Sequence, residues 1–403
     1  VRRRLGAFAQ LRSLEIAAFL DNHEVASLCD DDLAALAALP QLERLELIAL
    51  PRVTGATIRA VCEGSPRLRE LGILHLQHLG DDAMAAVAAL QRLWLLKLGA
   101  AVYPEGVTLN GLRALGSDSL ASSLTHLVFT TLGDGWATRC LLKDDQVFSL
   151  IADQFPNLMF INLNGAAPDL FDDASIDEWN RGFAHLARLE RLVELDLNDV
   201  AVNDTGLKLL SRSESLANLR IEHDGTTLLT DEGLQHLANL HSLRHLNIGQ
   251  GENPSYTDRA FAQHSAMVTL RQQEIPFDFD LESLTVDQCC LEGYLTPGPH
   301  LQDLSEMGVE ILVSGYVHKV KKPGELLGLT VPPQNPELLE HYSAAEYRRL
   351  CDLQAHLTED TFDTQPLEFY QEYAAGIEAL KRSLALCPPP TLKATGEPAA
   401  VPT

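Results

Sequence analysis

LTDEGLQHLANLHSLRHLNI, residues 229–248, carries two periodicities back to back. From Thr230 onward, Leu234, Leu237 and Leu240 recur at helical spacing, and Thr230 or Asp231 stands where a helix start needs a side-chain acceptor. Leu243, Leu246 and Ile248 then form L-x-x-L-x-L, whose last two apolar residues alternate inward as in a short strand. The reading is a capped helix of about three turns running into a strand. Such a unit cannot bury its own apolar face; stacked copies of it can.

Copies are present along most of the chain. The strand motif, with Ile, Val or Phe allowed at its inward positions, begins at Leu11, Leu42, Leu68, Leu93, Leu124, Leu158, Leu192, Leu216, Leu243 and Leu281. Successive spacings are 31, 26, 25, 31, 34, 34, 24, 27 and 38 residues. The short ones fit a minimal strand–helix repeat, and the longer ones require inserted loops. Between motifs, Asp31–Leu39, Asp82–Leu90, Asp145–Phe155 and Asp204–Leu210 carry apolar residues at helical spacing. Most open on an acidic or hydroxyl residue, as helix N-termini prefer. VNDTGL (202–207), LTDEGL (229–234) and YTDRAF (256–261) are near-copies of one helix start.

These units resemble the leucine-rich repeats of the ribonuclease-inhibitor-like class, especially the cysteine-containing type of F-box/leucine-rich-repeat proteins. That family's helix start, hydrophobic–Thr–Asp–x–Gly–Leu, is matched by Leu229, Thr230, Asp231, Gly233 and Leu234. Val202, Asp204, Gly206 and Leu207 match it too, with Asn203 in the Thr place. The resemblance covers residues 5–315. One departure is systematic: the ninth repeat position, usually Asn or Cys in the family, is apolar at Leu50, Leu76 and Val200, and only Cys289 fits.

The expected fold class is α/β: a right-handed leucine-rich-repeat solenoid of ten to eleven repeats, with parallel concave strands, convex helices and a C-terminal helical extension. An eleventh repeat is imperfect, with Leu301–Met307 as its helix and Val309–Val317 as its strand. The expected domains are 1–317 for the solenoid, 318–387 for a linker and helical extension, and 388–403 for a disordered Pro/Ala-rich tail. Within the extension, Ser343–Leu357 and Pro366–Leu386 read as helices. Tyr370, Tyr373, Ile377, Leu380 and Leu384 form an apolar stripe on the second, suited either to cap the solenoid's open end or to dock another protein.

Composition narrows the function classes. Hydrophobic residues make up 46% of the 403, which excludes global disorder. The net charge of −25, from 31 basic and 56 acidic residues, repels nucleic-acid phosphates and anionic membrane surfaces and favours a basic protein partner. No membrane span is expected, because no run of about 18 apolar residues occurs. The opening VRRRLGAFAQ lacks the long apolar run of a signal peptide. Seven cysteines (Cys29, Cys62, Cys140, Cys289, Cys290, Cys351 and Cys387) show no C-x-x-C spacing. They read as unpaired thiols of a reducing, cytoplasmic compartment rather than a disulfide framework or zinc site.

Catalytic motifs of the phosphate-loop, zinc-protease and nucleophile-elbow kinds are absent from the sequence, and no cofactor or metal is expected. His241 and His245 straddle a helix-to-strand junction, and the acidic cluster at 169–178 lacks calcium-loop spacing. The concave face is more informative. In L-x-x-L-x-L the third and fifth positions point away from the core onto open sheet. Leu95, Val128 and Phe160 then form an apolar island, edged by Lys97, His126, Asn162, Glu194, Asp196 and Arg220. Insertions at 99–111, 131–143, 164–178 and 249–257 all follow strands and share one edge, where Tyr103, Trp136 and Phe171 offer aromatic anchors. The expectation is a non-enzymatic scaffold that binds a protein through this face and edge. The resemblance implies a more specific alternative, the substrate receptor of a ubiquitin ligase with an F-box ahead of the repeats. An effector or enzyme with its chemistry in 318–403 is the competing class.

Overall fold

The computed structural model describes residues 10–18, 23–76, 78–99, 107–130, 146–163, 173–198, 200–221, 229–248, 256–264, 281–287, 298–314, 343–356 and 365–386. Twelve strands form one sheet in sequence order: β1 (Ser13–Ala17), β2 (Arg44–Ile48), β3 (Glu70–Leu74), β4 (Leu95–Gly99), β5 (His126–Thr130), β6 (Phe160–Asn162), β7 (Glu194–Asp196), β8 (Asn218–Arg220), β9 (His245–Ile248), β10 (Ser283–Asp287), β11 (Glu310–Ser314) and β12 (Gln365–Pro366). The first eleven are parallel; β12 runs antiparallel against β11. The chain is a right-handed leucine-rich-repeat solenoid. Each of the first ten strands begins at the third residue of its sequence motif, and the eleventh falls where the imperfect repeat was expected.

Identical registers follow from identical motifs. Leu45, Leu71, Leu96, Leu127, Ile161, Leu195, Leu219, Leu246 and Leu284 stack one on the next and are all 2% exposed or less. Burying each such side chain contributes about 1.5–3 kcal/mol, and only the neighbouring repeats supply the apolar surroundings. Leu50, Leu76 and Val200, at the ninth position, are equally buried, so apolar residues pack there without the usual Asn or Cys. Cys289 lies outside the described residues, as does the 388–403 tail.

Two of the helices are shorter than the periodicity suggests. The segment after Thr230 is α-helical only over Asp231–Gln235 and tightens into a 3-10 turn over His236–Asn239. Asp30–Leu33 passes likewise into a 3-10 turn over Ala34–Ala38. In both places the tighter winding spans more length per residue.

Helix starts link several repeats to the next. Thr230 caps its own helix by accepting from the Glu232 N–H at 3.2 Å. Its own N–H and hydroxyl donate to Asp204 of the preceding repeat, at 2.9 and 2.7 Å. Asp231 then receives the N–H and hydroxyl of Thr257 at 2.6 and 2.9 Å. Asp30 holds Thr54 and Asp81 holds Thr108 in the same manner. Asp258 closes the series on the backbone N–H groups of His300 and Leu301. Burial would raise the Asp30 carboxyl, but hydrogen bonds from Thr54 and Thr57 outweigh it and hold the group below its ordinary value. The glycine of the helix start makes room for this link: a Cβ on Gly233 would run into Asp204 Oδ1, and one on Gly206 into Asn180 Oδ1.

The solenoid's far end is covered. Tyr370, Tyr373, Ile377 and Leu380, the described part of the stripe on Leu367–Leu386, are buried together with Leu367 within the same apolar core as the repeats. The helix Ala344–His356 packs over that one, with Leu350 against Gly376. The stripe therefore caps the stack rather than waiting for a partner.

Gly233→Ala is expected to destabilise the protein by about 1–3 kcal/mol through overpacking, and by less in an Asp204→Ala background where the obstructing carboxylate is gone. Urea denaturation of the four-protein cycle reads the difference. His264 is fully buried, which lowers its pKa to about 4. The unfolded imidazole binds a proton from about pH 6.5 downward while the folded one stays neutral to about pH 4. Stability should fall across that window by about 3 kcal/mol more in the wild type than in His264→Leu.

Candidate functional site

Register converts scattered sequence positions into rows across the sheet. Leu95, His126, Phe160, Glu194 and Asn218 are neighbours in one row; Lys97, Val128, Asn162, Asp196 and Arg220 form the next. Nine of the ten residues expected to bind thus share strands β4–β8. Trp136 lies outside the described residues, together with Tyr103, Phe171 and most of the inserted loops.

Not all nine present themselves to solvent. Leu95 is only 9% exposed, set in register between Glu70 and His126, so the apolar island is smaller than the alternation rule suggests. Asp196 is 6% exposed and accepts from Asn162 Nδ2 at 3.0 Å and the Asn198 N–H at 3.1 Å. Lys97 reaches over Gly72 to Glu46 Oε1 at 2.7 Å. A side chain on β3 would obstruct that pair, because a Cβ on Gly72 would stand 2.9 Å from Glu46 Cγ. These three residues build the platform, while Arg220 remains exposed at its margin.

The centre of the face is aromatic. The His126 ring sits edge-on to Trp94 at 4.8 Å and tilted against Phe160 at 5.5 Å. Its Nδ1 is 2.8 Å from Thr125 Oγ1. Burial lowers the His126 pKa, and the Glu194 carboxylate pulls it partly back. His126 is therefore held mainly neutral at pH 7.

Trp94 occupies the second motif position, which the alternation argument did not treat as contact surface. Met159 and Val193 hold the same position on later repeats and are the exposed large hydrophobics among the described residues, at 37% and 36%. The carbonyls of Trp94, Thr125, Met159 and Val193 each accept two N–H groups from the following strand. Second positions therefore line the rim where the strands begin. A signal was available in the row itself: Arg12, Glu43 and Arg69 precede Trp94, Thr125, Met159, Val193 and Ala217, and Arg244 and Glu282 follow. Charge stops for five repeats and then resumes.

Flanking cations are engaged in pairs, Arg44 with Glu70 and Arg244 with Glu282 at 2.8 Å. His245 bonds to Ser283 Oγ at 2.8 Å. On the outward positions of β5–β7 the charged side chains are Glu194 and Asp196 alone. Among the described residues no three His, Cys, Asp or Glu side chains converge as metal ligands would. No described helix is long and apolar enough to cross a membrane. What the face offers is contact: apolar and aromatic surface at the centre, with charge around it.

No protein-family profile matches the chain. No curated protein sequence matches it either. Among solved structures, an internalin from Listeria monocytogenes is similar at 18% identity, covering 71% of this chain and 77% of its own, with a TM-score of 0.31. The yeast Rad7 and Elc1 complex contains a chain similar at 16% identity, covering 69% and 76%, with a TM-score of 0.32. The fold assignment rests on the chain's own strand order and register.

Glu194→Gln removes a charge that favours protonated His126, so the His126 pKa should fall further below 6.5. An NMR titration of the imidazole in both proteins measures the shift. An unchanged or raised pKa would separate the two groups.

Proposed function

We propose that this protein is a non-catalytic scaffold that binds a partner protein on the concave face of β4–β8. The observation that carries the reading is the gap in surface charge on the rim of those strands, filled by Trp94, Met159 and Val193 and continuous with His126 and Phe160. Half-buried aromatic and exposed aliphatic side chains on a rigid, pre-organised sheet are the usual anchors of a protein interface. Lys97, Asn162, Asp196 and Arg220 frame it, and Leu95 supports it from below. The loop-bearing edge with Trp136 extends the contact surface.

The domain division at 317 and a reducing, cytoplasmic setting belong to the same proposal. Cys62 fits it, since burial, with Glu63 nearby, pushes its thiol up to about 12 and makes it unreactive. The Thr–Asp–x–Gly–Leu helix starts favour the cysteine-containing repeats of F-box proteins, and under that reading the partner would be a substrate awaiting ubiquitin transfer.

The test compares proteins captured by the wild type and by a folded Val128→Glu/Phe160→Glu variant. Loss of a specific partner from the variant supports the concave face; equal capture by both refutes it. With a net charge of −25, association with that partner should also slow as salt rises, read as the association rate between about 0.05 and 0.5 M salt, where the screening length shortens severalfold.

A further inference from the structure

We infer that the rim formed by Trp94, Met159 and Val193 binds a short segment of a partner protein that places a lysine or arginine on Glu194, flanked by apolar side chains. The inference rests on the proposed concave-face function and names the chemistry that face would select.

Three observations converge on one stretch of sheet. Met159 and Val193 are exposed, with Phe160 half-buried beside them and Trp94 and His126 in ring contact at the strip's head. The strip crosses five strands at about 4.8 Å each, so it is about 19 Å long, room for a short peptide segment rather than a whole domain face. Glu194 lies on β7, the fourth of those five strands, next to Phe160 in register and next to Val193 in sequence. No salt bridge to Glu194 occurs among the described residues, whereas Glu46, Glu70 and Glu282 on the same face each have a basic partner.

Charge complementarity selects the occupant. Asp196, the other carboxylate of β5–β7, is covered and bound to Asn162 and the Asn198 N–H, so Glu194 is the one that an incoming group meets. A cation set there would lie beside Phe160, where the ring face adds a cation–π contribution. The apolar residues next to it would cover Val193 and Met159. The overall charge of −25 favours the approach of such a segment, but Glu194 alone fixes where its cation sits.

The test uses a random twelve-residue peptide library displayed on phage, selected against the full chain and against three folded variants: Glu194→Lys, Met159→Glu/Val193→Glu and Phe160→Glu. Circular dichroism and melting confirm that each variant is folded. The wild type should enrich peptides with Lys or Arg within four positions of aromatic or aliphatic residues. Met159→Glu/Val193→Glu should lose that enrichment, and Glu194→Lys should replace the basic residue with Asp or Glu. Glu194→Lys changes the net charge only from −25 to −23, so peptides held by bulk charge would survive it unchanged, and that outcome overturns the inference. Peptides lost from Phe160→Glu but indifferent to the other two variants would overturn it while leaving the concave-face function intact. No enrichment by the wild type, or enrichment that ignores all three variants, overturns both. Self-association of the chain abolished by Val193→Glu, without peptide enrichment, makes the occupant a second copy and also overturns it.

Discussion

Everything in this molecule depends on strands stacking in one register. A single repeat has a short strand and a helix of at most about three turns, too little to enclose its own leucines. In-register stacking puts Leu45 under Leu71 under Leu96 and so on along the chain, and the core becomes a column rather than a ball. The same geometry acts on the outward positions. Residues separated by about thirty positions in sequence become neighbours at strand spacing, which is how Trp94, Met159 and Val193 come to share one rim.

The aspartate at five of the described helix starts reinforces that register from the convex side. It reaches into the next repeat and satisfies the N–H and hydroxyl of the threonine that caps the following helix. Three residue types are thereby explained together. Threonine caps its own helix and donates backwards, aspartate accepts from ahead, and glycine leaves room for the aspartate behind it. Where Asn203 replaces threonine, the receiving side changes as well: Asp177 and Asn180 share the task, and Asn180 is wholly buried. The long repeats around 146–183 have a further reinforcement, with Phe148, Trp179 and Phe183 packed edge to face at 5.0 to 5.9 Å.

Strand positions were legible in the sequence because period-2 alternation is rigid: each strand begins two residues after its leading leucine. Helix starts were legible too, although sequence alone left Thr230 and Asp231 as rival caps. Only the neighbouring repeat distinguishes them, since Asp231 has its partner at Thr257. The C-terminal stripe announced a buried face without saying what buries it; packing into the repeat core decided for a cap. At the site, alternation placed nine residues on one face and misjudged two. Leu95 and Asp196 point outward yet are covered by neighbours whose reach no periodicity encodes. Trp94, Met159 and Val193 escaped notice because the alternation rule begins one residue later, at the strand proper. Comparing equivalent positions across repeats, instead of along each one, would have revealed them.

As a scaffold, the protein would contact another polypeptide in the cell through the concave face of β4–β8. Photo-crosslinking tests it directly, with a benzophenone amino acid placed at Val193 and, as a control, at exposed Glu232 on the convex side. A discrete crosslinked species should form from position 193, absent at 232 and suppressed by Phe160→Glu in the same chain. A crosslink at 232 with none at 193 would contradict it and move recognition off the concave sheet.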